Sequence, residues 1–383
     1  MVRLPGIALV RESCSGQSGR RRTERHTRRA ATRIVWASQS TRRSIMATLK
    51  EIATRARVSI GTVSNVITGS VPVSALRRER ILAAIREFDY HPNHVARSLR
   101  LRRTRTLGMV ISDITNPFFS QMVRGAEDAA LEHNYLLLMF NTDDRVERER
   151  QALTVLRDRQ VDGILLVVAS GRESAAHAAE TVAAGTPVVC LDRFPPGVRV
   201  DSVTVDNLQA TRECVRHLLG LGHRRIAILT GSLCHNTARE RLQGYKEALK
   251  AMRLRIDPEL IRTGDFRVDS GHALGLELLS RPDRPSAVFT SNGLMAMGVL
   301  KAVTELRLRC PRDVAIATFD DLPMSEILRP PLTSVAQPAY LIGYKGAELL
   351  IKTIELREKS KTRVQIRLRA ELRIRESTQG VKC

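Results

Sequence analysis

The chain has 383 residues, 43% of them hydrophobic, which is enough for two or three domains with sizeable cores. Its net charge of +22 points to a polyanionic partner, nucleic acid or an anionic membrane. No apolar run reaches the roughly 18 residues that span a bilayer, and none of the six cysteines has C-x-x-C spacing, so neither a zinc site nor a disulfide scaffold is indicated.

Free thiols of this kind fit a reducing, cytoplasmic compartment. The charge is uneven. Residues 1–45 hold eleven Arg and two Glu, a net +9, and residues 46–106 hold twelve Lys/Arg and four Asp/Glu, a net +8. The remainder carries +5, about as much as its basic stretch 357–376, so a basic head precedes a nearly neutral body. Residues 1–45 have three readings: a disordered arm adding non-specific DNA affinity, a transit peptide, or residues upstream of a natural start at Met46. The last is preferred, because a complete domain begins right after Met46. The opening LPGIALV is too short for a secretory signal, and its arginines follow it.

From Leu49 the apolar positions Leu49, Ile52, Ala53 and Ala56 follow i, i+3, i+4, i+7, one stripe of a short helix capped by Thr48. A turn over Arg57–Ser59 leads to a second helix, with Ser59 as its cap. That helix turns Val63, Val66, Ile67 and part of Ile60 inward and Gly61, Thr62, Ser64 and Asn65 outward. Gly69 stops it. Such a pair is a helix-turn-helix, whose second helix enters the major groove. The small uncharged face lets it approach base edges. Thr and Ser hydroxyls suit phosphate oxygens, and Asn65 suits a base edge. A third helix is predicted over 74–88, with Leu82, Ile85 and Phe88 closing a three-helix core. Pro92 then starts a short helix carrying Ala96 and Leu99 among arginines. It is too short to be stable alone and is expected to fold against DNA and a partner chain.

The segments TLKEIATRARVSIGTVSNVITG and VSALRRERILAAIREFDYHPNHVARSLR resemble the head and hinge of the lactose-repressor (LacI/GalR) family. The resemblance continues through RTRTLGMVISDITNPFF and covers essentially everything after Met46. It implies that Ile60, Gly61 and Asn65 read bases and that Thr62 and Ser64 meet phosphates. The hinge residues Asn93, Ala96 and Arg97 also fall on DNA, and Leu99 matches the leucine that wedges into the minor groove. One position departs. Arg57 stands where the family usually has Gly or Asn, and a left-handed Arg there costs about 1 kcal/mol.

After the hinge, apolar runs LGMVIS, YLLLMF, GILLVV, PVVCL, RIAILT, SAVFTS and DVAIATF alternate with helical stretches such as 118–133, 146–159 and 208–221. This predicts parallel sheets covered on both faces. Polar residues recur where these strands end, namely Asp113, Asn141, Asp192, Asn292 and Asp320. Ligands bind beyond the carboxyl ends of such strands, so the set suggests a hydroxyl-rich ligand, although any single member also suits a helix cap. Phe118, Phe119 and Phe266 could wall such a site, or belong to the core. No nucleotide fingerprint, P-loop, H-E-x-x-H or G-x-S-x-G stands in context. No catalytic residue, metal site or cofactor is expected, and His235 reads as a surface or cleft histidine.

The body is similar to the type I periplasmic-binding-protein fold, two lobes hinged around a cleft. That resemblance places an effector-binding arginine at Arg241 with Thr237 nearby, and puts Asn292 and Asp320 at effector positions. The purine-responsive member has arginine where this chain has His235, so the resemblance implies a sugar or sugar derivative rather than a purine. The ending STQGVKC is too short for the tetramerising leucine-heptad tail, so a homodimer on a palindromic double-stranded operator is expected, without a membrane partner. The alternating VQIRLRAELRIRES reads as blunted edge strands. The predicted fold is therefore a small all-α helix-turn-helix head plus an α/β two-lobed core. The expected boundaries are a basic extension 1–45, head 46–92, hinge and linker 93–106, core 107–376 and tail 377–383. The expected function is an effector-controlled transcriptional regulator, most simply a repressor. The alternatives are a solute-binding protein, or a sugar-processing enzyme using Asp192 and Asp320.

Overall fold

The computed structural model describes residues 48–68, 71–90, 103–356 and 363–379. They fall into two compact units parted between Pro92 and Asn93. Asn93, Ala96, Arg97, Leu99, the predicted hinge helix, Gly69 and the 1–45 extension lie outside the described residues.

The first unit is three helices, α1 (Leu49–Ala56), α2 (Ile60–Thr68) and α3 (Ala75–Glu87). Thr48 and Glu51 form a capping box on α1, each satisfying the other's backbone N–H. Arg57 ends α1 in the left-handed region (φ 54°, ψ 50°), and Ser59 Oγ accepts from Thr62 N at 3.1 Å to cap α2. Ile52, Ala53, Ala56, Val63, Ile81 and Ala84 are the buried core. Leu82 and Phe88 do not close it: they are 38% and 39% exposed, while Ile81 is fully buried. The inward stripe of α3 is Ile81–Ala84–Ile85, and Leu82, one residue on, is rotated about 100° away from it.

The second unit carries two six-stranded sheets. The strands of the first are β1 (Thr106–Ile111), β2 (Leu136–Asn141), β3 (Gly163–Leu166), β4 (Val188–Leu191), β5 (Asp201–Val205) and β11 (Gln365–Leu368). All pair in parallel in the order β11-β5-β4-β3-β1-β2. The second sheet has β6 (Ile226–Thr230), β7 (Ile261–Thr263), β8 (Ala287–Thr290), β9 (Ala315–Phe319), β10 (Thr333–Ala336) and β12 (Glu371–Arg373), ordered β12-β10-β9-β8-β6-β7. Only β12 runs antiparallel in it. Helices α4 (Pro117–Glu132), α5 (Val146–Asp158), α6 (Glu173–Ala183) and α11 (Ala339–Leu356) cover the first sheet, making lobe 1. Helices α7 (Asn207–Gly220), α8 (Asn236–Ala251), α9 (Val268–Leu279) and α10 (Gly293–Glu305) cover the second, making lobe 2.

The chain passes between lobes three times: after β5, after β10, and between β11 and β12. The basic tail supplies one edge strand to each sheet. Strand β2 departs from the expectation of full cover. It is the other edge of lobe 1, and Leu136, Leu138 and Met139 are 64%, 41% and 40% exposed. Ser377 and Thr378 are fully buried, with Ser377 Oγ donating to Ile316 O at 2.6 Å, so the packed core runs past the expected boundary at 376.

Candidate functional site

In each sheet the strand order reverses beside the first strand, between β1 and β3 in lobe 1 and between β6 and β8 in lobe 2. Loops leaving adjacent strands there turn to opposite faces, which opens a crevice beyond the carboxyl ends. The two crevices meet in one narrow cleft. Asp113, Phe118, Phe119 and Asp192 reach it from lobe 1, and Thr237, Arg241, Phe266, Asn292 and Asp320 from lobe 2. Nine of the ten core residues that the sequence suggested for a ligand site thus share one cavity. Asn141 does not. It accepts from Ile114 N at 2.8 Å and donates to Asp143, a local turn duty.

Backbone conformation aims several of these side chains. Asp192, Phe266 and Asp320 are non-glycine residues with φ of 59°, 66° and 71°. Such strain costs of order 1–3 kcal/mol each and persists where the surroundings enforce it. The Phe266 ring packs against Gly231, where any Cβ would collide with it. Phe118 and Phe119 pack edge to face at 5.1 Å on the first turn of α4, started by Asn116 Oδ1 accepting from Phe118 N at 3.1 Å. Asn292 serves twice. Its Oδ1 caps α10 through Met295 N at 3.0 Å, while its Nδ2 donates to Phe266 O at 2.8 Å.

Two buried arginines organise the charge. Arg241, 4% exposed, donates to Asn207 Oδ1 (2.8 Å) and Ser291 O (2.6 Å), and its guanidinium lies 3.7 Å from the centre of the Phe319 ring. Arg193, also 4% exposed, donates to Asp144 at 2.7 Å and Ser112 Oγ at 3.2 Å and stands over Phe266 at 5.5 Å. Burial pushes the Asp192 carboxyl up to about 6, against the pull of Arg193 and Arg241. Burial also raises Asp320, again opposed by Arg241. At Asp144 burial, the largest single influence, is outweighed by Arg193, the Ser112 hydroxyl and His235 acting together, and the carboxyl lies below its ordinary value. Gln337 Nε2 donates to Asp320 Oδ1 at 2.5 Å.

Sequence reasoning missed Ser112, Asn116, Asp144, Arg193, Asp265, Arg267, Leu294 and Gln337, which also line the cleft. Ser112 and Arg193 had a signal, each adjoining a residue picked at a strand end. His235 is not at the surface. It is 5% exposed, 6.2 Å from Phe266, and burial beside Arg193 pushes its imidazole down to about 3.

In the head, Ile60 (48%) and Gly61 are exposed and Thr62, Ser64 and Asn65 half-buried on α2, with Val63 turned fully inward. The Thr62 hydroxyl shares a hydrogen bond with Ser59 Oγ at 2.9 Å, so it also serves the cap. Among the described residues no helix is long and apolar enough to cross a membrane, and no group of His, Cys, Asp or Glu is arranged to hold a metal ion.

Two family models match the two units. Residues 48–93 match "Bacterial regulatory proteins, lacI family", and residues 104–375 match "Periplasmic binding proteins and sugar binding domain of LacI family". The chain belongs to the LacI family. Its likeness to other LacI-family proteins is long in both sequence and structure. It is 36% identical to the ribose operon repressor of Escherichia coli (strain K12) over 84% of this chain and 97% of that protein. It is similar to the CelR–cellobiose complex (36% identity, TM-score 0.66, 86% of this chain and 99% of that one). The lac repressor dimer bound to operator and the anti-inducer ONPF is similar too (28% identity, TM-score 0.78, 87% and 99%). As a LacI-family protein the chain is a DNA-binding regulator with an effector-binding core. The family departure at Arg57 has its structural counterpart, since that residue is left-handed.

Proposed function

We propose that this regulator is a transcriptional repressor whose grip on a palindromic operator is set by an uncharged sugar held between the lobes. The observation that carries this reading is that polar strand-end residues, aromatic side chains and Arg241 from both lobes line one cleft, in a chain that also bears a helix-turn-helix. Asp192 Oδ1 and Gln337 Oε1 are buried acceptors without a partner among the described residues, which suits sugar hydroxyl donors. Five aspartates against three arginines in the wall disfavour a phosphate or carboxylate ligand. The aromatic walls suit the apolar faces of a sugar ring. Free D-ribose is the first probe, because a 36% identical relative is a ribose operon repressor.

The proposed division is a head at 46–92 that reads bases through Ile60, Gly61 and Asn65 and meets phosphates through Thr62 and Ser64, a hinge and linker at 93–106, and a core from 107 to at least Thr378. Two copies would pair, and the exposed apolar edge at Leu136, Leu138 and Met139, with Leu131 (56% exposed) beside it, is a surface a second copy can cover. The relative named above is a repressor rather than an enzyme, and no turnover of sugars is expected here. The test is operator affinity with and without D-ribose and a panel of free sugars. Affinity indifferent to every one of them would remove the sensing half of the reading.

A further inference from the structure

Two helices of lobe 1 connect the cleft with the place where the linker joins the core. Helix α4 opens on Phe118 and Phe119 in the cleft wall, and α11 opens two residues after Gln337, also in the wall. Both point the same way: the Tyr340 hydroxyl donates to Asp128 (3.1 Å), and one turn further along both helices the Tyr344 hydroxyl donates to Glu132 (2.6 Å). They touch backbone to backbone. A Cβ on Gly125 would collide with the Tyr340 carbonyl, and one on Gly343 with the Met122 carbonyl. Packed this closely, the pair moves as one body. At about 1.5 Å per residue the helices carry any displacement of the cleft wall roughly 24–27 Å.

Their far ends meet two arginines at the start of the core. Arg103 donates to Ile354 O at 3.0 Å, in the last turn of α11. Arg105 donates to His133 O at 3.4 Å, the cap of α4, lies 4.0 Å from the Glu355 carboxylate and stands 5.0 Å over the Tyr135 ring. Neither helix has a basic residue in its own last turn. The final carbonyls of a helix lack internal partners and carry the negative end of its dipole, so the two guanidiniums supply what both helices lack. The segment between the arginines is pinned. Asp162, just before β3, accepts from Thr104 N (2.8 Å), Thr104 Oγ1 (3.1 Å) and Arg105 N (3.0 Å).

We propose that Arg103 and Arg105 are the joint through which the cleft acts on the DNA-binding head: they grip the far ends of the two helices whose near ends wall the cleft. This rests on the sugar-controlled reading above. Both are positioning residues, and neither touches the cleft. The full chain and its Arg103→Ala/Arg105→Ala variant are compared on the palindromic duplex that the full chain selects from random sequence, with and without saturating D-ribose. The readout is the ratio of the two operator Kd values, for which coupled sites typically give about 5- to 150-fold. In the variant the ratio is expected to fall to within about twofold of unity while the D-ribose Kd, by calorimetry, stays within about twofold of the parent, since coupling and binding are separate terms. A parent-like ratio in the variant overturns the joint and leaves the regulatory reading intact. A parent ratio of one with every sugar overturns the reading and the joint together. If the double variant melts, Arg103→Gln alone decides: a ratio at least about threefold below the parent's supports the joint, and an unchanged one overturns it.

Discussion

Phe194 and Asn236 tie the lobes together: the backbone N–H of Phe194, in lobe 1, donates to the Asn236 side-chain oxygen, in lobe 2, at 3.3 Å. Beside them Gly171 of lobe 1 presses on the carbonyl of Cys234 of lobe 2, so closely that a Cβ there would overlap it. Both partners at that contact are main chain, so they yield only if the lobes part. Gly171→Val should therefore act as a wedge. Overpacking typically costs about 1–3 kcal/mol, which predicts sugar binding weakened roughly 5- to 150-fold with the cleft residues untouched. Calorimetric titration with D-ribose checks it. An unchanged affinity would mean that closure of this seam does not accompany binding.

Asp320→Asn keeps the shape of the cleft wall and removes its charge. The Gln337 donor at 2.5 Å loses a carboxylate partner, as does the neighbouring Arg241. Hydrogen bonds to charged groups contribute about 1.5–3 kcal/mol, so sugar affinity should drop by roughly tenfold or more while sugar-free operator affinity stays put. Mobility-shift titrations with and without sugar separate the two. A variant that still binds sugar normally but loses a measurable turnover would favour an enzyme instead.

His235 carries a pH signature. Its folded imidazole lies near 3, well below the ordinary 6.5, because it is buried beside Arg193; Asp144 opposes the shift and Arg239 adds to it. A base with a depressed folded pKa contributes stability above the unfolded value, and that stability is lost as pH falls below about 6.5. At pH 5 the loss is about 2 kcal/mol. Asp192, raised to about 6, works the other way: its contribution is present below about 4 and is lost as pH rises through 6. Replacing His235 with Gln should remove most of the acid-side loss between pH 6.5 and 5. Thermal unfolding of both proteins at pH 7.5 and 5.0 decides it, and equal losses would contradict the assignment.

Asn65 lies on α2 beside exposed Gly61 and Ile60. If its amide reads a base edge, Asn65→Ala should lower the preference for the palindromic over a random duplex by about 1–3 kcal/mol per half-site, leaving random-duplex affinity nearly unchanged. A loss shared equally by both duplexes would instead mark a phosphate contact.

Arg57 holds φ 54° between α1 and α2, where a side chain pays a steric cost that glycine does not. Arg57→Gly should stabilise the head by about 1 kcal/mol, slowing amide exchange in α1 roughly fivefold. Slower exchange elsewhere but not in α1 would point to a different source.

The sequence by itself determined the helix-turn-helix and its caps, because capping boxes and 3.6-residue stripes are local patterns. It also determined the alternating strand–helix core and the polar residues closing its strands. It failed where packing chooses among equivalent local patterns. Leu82 and Ile81 are both apolar neighbours on α3, and only the facing helices decide that Ile81 goes inward. The run LLLM looks like a buried strand until the strand order makes it an edge. Short β5, β7 and β10 carry too little pattern to announce themselves. Tertiary structure alone decided the cleft's charge network, since Asp144, Arg193, Arg241 and Gln337 stand in segments separated by up to 193 residues. Their meeting depends on three crossings between lobes, and no periodicity within one segment records which distant loop will face it.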